Sequence, residues 1–155
     1  FQLMAQVAGR AGRKNKQGLV ILQTKSPDLP LIRQVIANDY NRLYQDQLAE
    51  RSLFKYPPFY RLIYVYLKHR KEDVLDQAAD LMATYLRSGL GERILGPDKP
   101  PVARVQTLYI KKIVIKIEQT VSMKKVRSYL VQVQRSVIED ERFRSLVVYY
   151  DVDPM

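Results

Sequence analysis

Two adjacent prolines, Pro57 and Pro58, divide this chain into parts that cannot share a helix or a central strand. A proline has no N–H to donate and pushes the preceding residue out of the helical region. Tyr56-Pro57-Pro58 therefore forces an extended stretch and marks a domain boundary. Past it the hydrophobic period switches between 2 and 3.6 in a simple order. Residues 59–68 read as a strand and residues 72–88 as a helix closed by Gly89-Leu90-Gly91. Residues 93–97 read as a short strand, and residues 103–118 as a long one, bent near Thr107. Residues 122–139 read as a helix with Ser122 as its cap, and residues 143–152 as the last strand. The inward helical positions are Val74, Leu75, Ala78, Ala79, Met82, Tyr85 and Leu86, then Val126, Tyr129, Leu130, Val133, Val137 and Ile138. The order β-α-β-β-α-β predicts an α+β, ferredoxin-like domain with two helices on one face of a four-stranded sheet.

Upstream of the prolines, apolar spacing predicts a helix over residues 1–10 and a buried strand at Gly18-Leu19-Val20-Ile21-Leu22-Gln23-Thr24. Ile32, Val35, Ile36, Tyr40, Leu43, Tyr44 and Leu48 recur at three- and four-residue steps, which predicts one amphipathic helix from about Asp28 to Arg51. The organisation read from sequence is thus residues 1–25, a helical connector at 26–56 and a C-terminal domain at 57–155.

With 46% hydrophobic residues, the chain can bury a core, so wholesale disorder is excluded. The absence of cysteine excludes disulfides, thiolate zinc sites and cysteine nucleophiles, and suits a reducing compartment. No apolar run approaches the ~20 residues of a membrane span. Lys and Arg number 26 against 16 acids, a net charge of +10 that favours a polyanionic partner such as nucleic acid. No acid occurs before Asp28.

Gln6-Val7-Ala8-Gly9-Arg10-Ala11-Gly12-Arg13 carries the sharpest chemistry. Gly9 and Gly12 allow close backbone approach, and Arg10 and Arg13 offer planar guanidinium forks that match phosphate oxygens. Such arginines complete a phosphate site, in the manner of an arginine finger. They do not build one, since the chain has no Gly-rich loop ending in Lys-Ser/Thr.

Further on, Tyr60, Tyr64 and Tyr66 alternate with Ile63, Val65 and Leu67, so the tyrosines should line the face opposite the helices. Bases stack on such rings, and another domain can equally pack there. Arg104, Tyr109, Lys111, Lys112, Lys116 and Lys124 form a basic set suited to phosphate contact, or to guarding a solvated sheet edge. His69, the only histidine, has no partners for a metal site, so none is expected. Asp151-Val152-Asp153-Pro154 reads as turn chemistry rather than a catalytic pair.

The motif at Gln6–Arg13 resembles the last signature motif of superfamily-two helicases. Val20-Ile21-Leu22-Gln23-Thr24, Asp39-Tyr40, Leu48-Ala49-Glu50-Arg51, Tyr56-Pro57-Pro58-Phe59, Leu95-Gly96-Pro97 and Asp151-Val152-Asp153-Pro154 narrow it to the primosomal protein N′ family of bacterial replication-restart helicases. The resemblance implies a C-terminal fragment of an ATP-driven 3′-to-5′ DNA helicase of the cytoplasm. Its partners would be forked and single-stranded DNA, other primosome proteins and single-stranded-DNA-binding protein. Residues 1–25 would be the last helix and strand of a RecA-like helicase lobe, short of their partner strands. Gln6, Gly9 and Gly12 would contact ATP, with Arg10 and Arg13 acting on it. ATP with magnesium, and zinc on a separate insertion, would belong to the intact parent; the fragment alone would hold neither and hydrolyse nothing. A free-standing RNA-binding domain and a structural or partner-docking domain stand as the alternatives.

Overall fold

The computed structural model describes residues 2–11 and 18–154. The chain divides into two compact units, residues 1–50 and 51–155. Among the described residues it is a mixed α+β protein with five α-helices and one antiparallel sheet of five strands.

The first unit holds α1 (Gln2–Ala8), α2 (Pro30–Ile36) and most of α3 (Tyr40–Leu53). The single helix expected over residues 28–51 is two. Asn38 takes the left-handed conformation, with φ of 52°, and stops α2. Asp39 then starts α3 by accepting a hydrogen bond from the Arg42 N–H at 3.0 Å, as a helix N-cap does. Gln34 Nε2 donates to Asp46 Oδ2 across the two helices at 2.5 Å. The amphipathic face expected of this stretch is absent from α3, which buries no residue. Residues 18–24 are not a strand either. No segment pairs with them among the described residues, and an extended segment without a ladder leaves its backbone groups to water.

The second unit runs β1 (Tyr60–His69), α4 (Glu72–Leu90), β2 (Ile94–Asp98), β3 (Arg104–Val105), β4 (Leu108–Glu118), α5 (Met123–Ile138) and β5 (Val147–Val152). The sheet order is β2-β4-β1-β5, with β3 hairpinned onto β4. The long strand expected over residues 103–118 turns back on itself, because Gln106 sits at φ of 53° and closes a two-residue hairpin loop. The last strand begins later than residue 143. A 3₁₀ turn at Glu141–Phe143 precedes it, and the Asp140 carboxylate caps that turn at the Arg142 N–H. Phe143 is thereby folded into the core instead of the sheet.

One face of the sheet makes that core. Ile63, Val65, Leu67, Ile113, Ile115 and Ile117 meet Leu75, Ala78, Ala79, Met82 and Leu86 of α4 and Val126, Leu130, Val133 and Val137 of α5. Each buried aliphatic side chain contributes about 1.5–3 kcal/mol. The spacing of these positions is what makes the helices lie flat on the strands. Tyr85, expected to face inward, is 39% exposed, although its carbonyl accepts the Tyr129 hydroxyl. Ser122 occupies the N-cap of α5 without a side-chain hydrogen bond. Gly96 in β2, at φ of 91°, approaches β4 so closely that a Cβ there would lie 2.9 Å from the Lys112 carbonyl oxygen. The final segment is hooked onto β1: Asp153 N–H donates to the Leu62 carbonyl at 2.8 Å, and Leu62 N–H donates to Asp153 Oδ1 at 3.0 Å.

Candidate nucleic-acid interface

Neither α4 nor α5 lies on the other face of the sheet, and its composition follows from strand parity. Side chains alternate across a strand, so the partners of the core residues all point the other way. In β1 these are Tyr60, Leu62, Tyr64, Tyr66 and Lys68. In β4 they include Ile110, Lys112, Val114 and Lys116, and in β5 Val147, Tyr149 and Asp151. Antiparallel register then sets them in rows. Lys112, Tyr66 and Tyr149 share one row; Val114, Tyr64 and Asp151 share the next. Lys116 stands opposite Leu62.

The rings make a connected surface. Tyr66 and Tyr149 stack with centroids 4.8 Å apart and planes 13° from parallel. Tyr64 meets Tyr66 edge-on at 6.2 Å. Lys112 Nζ lies 4.5 Å from the Tyr64 ring centroid, and Lys68 Nζ lies 4.7 Å from that of Tyr149. Each aromatic pair is worth about 0.5–1.5 kcal/mol and each exposed cation–π contact about 0.5–1 kcal/mol. These contacts hold the rings and the ammonium groups in place before any ligand arrives. Burial pushes the Tyr64 phenol above its ordinary value, with Tyr56, Tyr66 and Asp151 adding to the shift. Burial raises Tyr66 and Tyr149 in the same way. The face therefore presents neutral phenols, which donate hydrogen bonds and do not repel phosphate.

The basic set read from sequence is dispersed by the fold. Lys112 and Lys116 share the tyrosine face. Lys111 faces the helices, where its Nζ is 3.0 Å from Asp76 Oδ1 of α4 and its side chain is only 16% exposed. Tyr109 packs against the core, and Arg104 lies over its ring at 4.9 Å. Lys124 is exposed on α5, in the helical layer. Gln6, Gly9 and Arg10 are exposed on α1 and the turn that follows it; Gly12 and Arg13 lie outside the described residues. Two members of the tyrosine face escape a reading by sequence proximity, Lys68 and Tyr149. The available signal was the alternation Val147, Tyr149, Asp151 against Val148, Tyr150. Placing Tyr149 beside Tyr66 also requires the strand order.

His69 is spoken for structurally. Its Nδ1 accepts from the Lys71 N–H at 3.0 Å, and its Nε2 lies 2.8 Å from Ser145 Oγ. Asp153 serves the backbone of β1, while Asp151 lies on the tyrosine face opposite Tyr64. Among the described residues no helix is long and apolar enough to cross a membrane.

Comparison with known proteins gives the chain its relatives. The family described as primosomal protein N C-terminal domain matches residues 52–155. The replication restart protein PriA of Bacillus subtilis is 33% identical over 156 residues, which cover 99% of this chain and 19% of that protein. Its namesake in Haemophilus influenzae is 34% identical over 158 residues, covering 99% of this chain and 20% of the relative. The one in Treponema pallidum is 35% identical over 158 residues, covering 100% and 23%. The chain thus spans about a fifth of the length of these relatives. Through the match over residues 52–155, it belongs to the primosomal protein N family.

Proposed function

We propose that this chain is the C-terminal part of an ATP-dependent DNA helicase of replication restart, acting in the cytoplasm, and that the tyrosine face of its sheet receives unpaired DNA. The kinship with replication restart proteins supports the first half. One observation carries the second: the stacked Tyr66–Tyr149 pair with Lys68 and Lys112 beside it, on a face that α4 and α5 leave clear. Base stacking on aromatic rings tolerates any sequence, and ammonium groups follow a phosphate backbone without reading it. A fork is recognised by structure, so a sequence-blind surface suits it. The strand order β2-β4-β1-β5 supports a ferredoxin-like domain here, with the two-residue β3 added to the β-α-β-β-α-β succession.

In this reading residues 1–25 complete the second helicase lobe, residues 26–56 connect it, and residues 57–155 form the DNA-contacting domain. Gln6, Gly9, Arg10, Gly12 and Arg13 face ATP and its magnesium, whose phosphate cradle the rest of the parent supplies. The exposure of Gln6, Gly9 and Arg10 fits such a role. The arginines are drawn onto the γ-phosphate and released on hydrolysis, and that alternation moves the lobes on DNA. Zinc, primosome proteins and single-stranded-DNA-binding protein belong to the parent's wider assembly.

Fluorescence anisotropy of the chain with forked, single-stranded and duplex DNA tests the surface. Binding should prefer the fork and the single strand and fall steeply with salt. Tyr66→Ala or Tyr149→Ala should cost about 1–3 kcal/mol of affinity, the worth of one stacked base. No binding at low salt would make the face a docking surface within the parent.

A further inference from the structure

The end of the tyrosine face beyond Lys116 opens into a cavity of about 480 Å³. The turn at residues 53–56 forms one wall; the outer ends of β2 and β4 form the other. That turn is fastened to the sheet. Lys116 Nζ donates to the Phe54 carbonyl at 2.7 Å and lies 4.1 Å from the Tyr56 ring centroid. Arg51 donates to the Pro57 carbonyl at 3.0 Å, and Gln119 Nε2 donates to that of Pro58. Hydrogen bonds to Phe54, Pro57 and Pro58 thus anchor the segment that walls the cavity.

Lys55, Arg93 and Lys116 line the cavity against Glu92 and Glu118, which leaves one positive charge in excess. Among the described residues, no carboxylate lies within ion-pair distance of Lys55 or Lys116. Glu118, in the wall, pairs with Arg93 at 2.7 Å, which holds its carboxyl below the usual range, and the Lys55 charge adds to that shift. Glu92 also lines the cavity and is exposed. Burial lowers the Lys116 amine below its ordinary value, and the Lys55 charge lowers it further. Two ammonium groups that repel each other in one cavity are relieved by an anion placed between them. Lys55 also sits at φ of 56°, a conformation that favours glycine and that persists where the surroundings demand it. Leu95 and Tyr60 offer the cavity an apolar flank on which a ring can lie.

We infer that this cavity is a phosphate subsite, in which Lys55 and Lys116 grip the backbone of an unpaired DNA strand where it leaves the tyrosine face. The inference rests on the reading of that face given above and extends it from a patch to a path. Lys116 follows Lys112 on the same side of β4, four residues along, which is about 13 Å. A strand stacked on Tyr66 and Tyr149 reaches the cavity by continuing along β4 past Tyr64. The short apolar flank suits one base or sugar, and the paired cations suit one phosphodiester.

The test is anisotropy of the 155-residue chain with oligothymidylates of increasing length, over a salt series. Lys55→Gly is the variant of choice, because it removes the cation and relaxes the backbone at the same position, so the fold is kept. Thermal unfolding of the variant should match or exceed that of the parent chain. The shortest oligomers should bind Lys55→Gly as well as they bind the unaltered chain. Longer ones should lose about tenfold, the scale of one phosphate contact, with the salt slope reduced by about 0.7. If Lys55→Gly binds every length as tightly as the unaltered chain does, the subsite is overturned and the tyrosine face stands. If the unaltered chain binds no oligomer at low salt, the tyrosine face fails and the subsite with it. If Lys55→Gly loses binding of a polyglutamate peptide but not of oligothymidylate, the cavity serves a protein partner and the proposal is overturned.

Discussion

Lys112 projects onto the tyrosine face, while Lys111, one residue earlier, is pinned to Asp76 beneath the helices. The pleat gives two adjacent lysines different roles, and mutation separates them. Lys112→Ala should weaken single-strand binding and lower the salt slope by about 0.7, the loss of one phosphate contact. Lys111→Ala should leave both nearly unchanged and act on the fold, because it strips Asp76 of its partner. Paired salt titrations of the two variants check this; equal slopes would remove the distinction. The same pair shows where a sequence stops being readable. Arg104, Tyr109, Lys111, Lys112, Lys116 and Lys124 are close in the chain and similar in chemistry, so proximity groups them. Position on a pleated strand or a separate helix scatters them, and only Lys112 and Lys116 remain together.

At the scale of elements, β5 and α5 meet through Tyr150. Its hydroxyl donates to Gln134 Oε1 at 2.9 Å, and burial pushes the phenol from its ordinary 10.0 up to about 12. The folded protein therefore keeps this proton to higher pH than the unfolded chain does. Stability is whole below pH 10 and declines as pH rises toward about 12, because the unfolded state ionises first. Tyr150→Phe should lose about 1 kcal/mol at neutral pH, the worth of one hydrogen bond, and should make the alkaline decline shallower. Urea midpoints measured across that range give both numbers. Regular elements with a buried face were legible in advance: β1, α4, β2 and α5 lie where the period of their apolar residues places them. Two of the misread elements share a physical cause. Asn38 and Gln106 adopt left-handed backbone, which hydrophobic periodicity does not report, and each breaks a run that looks continuous. Residues 18–24 have strand composition but no ladder partner among the described residues. Composition alone does not make a strand.

At the scale of the whole molecule, the two units carry different kinds of chemistry on the proposed reading. Residues 51–155 hold the core, the sheet and the tyrosine face. Residues 1–50 hold the glycine–arginine motif. In the intact parent, Arg10→Ala or Arg13→Ala should abolish ATP turnover and leave DNA binding largely intact, which a coupled ATPase assay and anisotropy read side by side. Normal turnover in both variants would remove the arginine-finger role. Family membership was legible because scattered short motifs survive together along the whole chain. The tyrosine face was only half legible, because it depends on which strands become neighbours.

That neighbourhood has a consequence in time. Tyr66 lies on the first strand of the sheet and Tyr149 on the last, and among the described residues β5 pairs with β1 alone. During synthesis the lysines of β4 and the tyrosines of β1 leave the ribosome long before the ring that completes their surface. A nascent chain lacking β5 has no stacked pair, and the Asp153 hook that fastens this end to Leu62 is still unmade. The surface thus comes into being only once β5 is made, so on the proposed reading a chain cut short there is silent toward its ligand, whatever charge it carries.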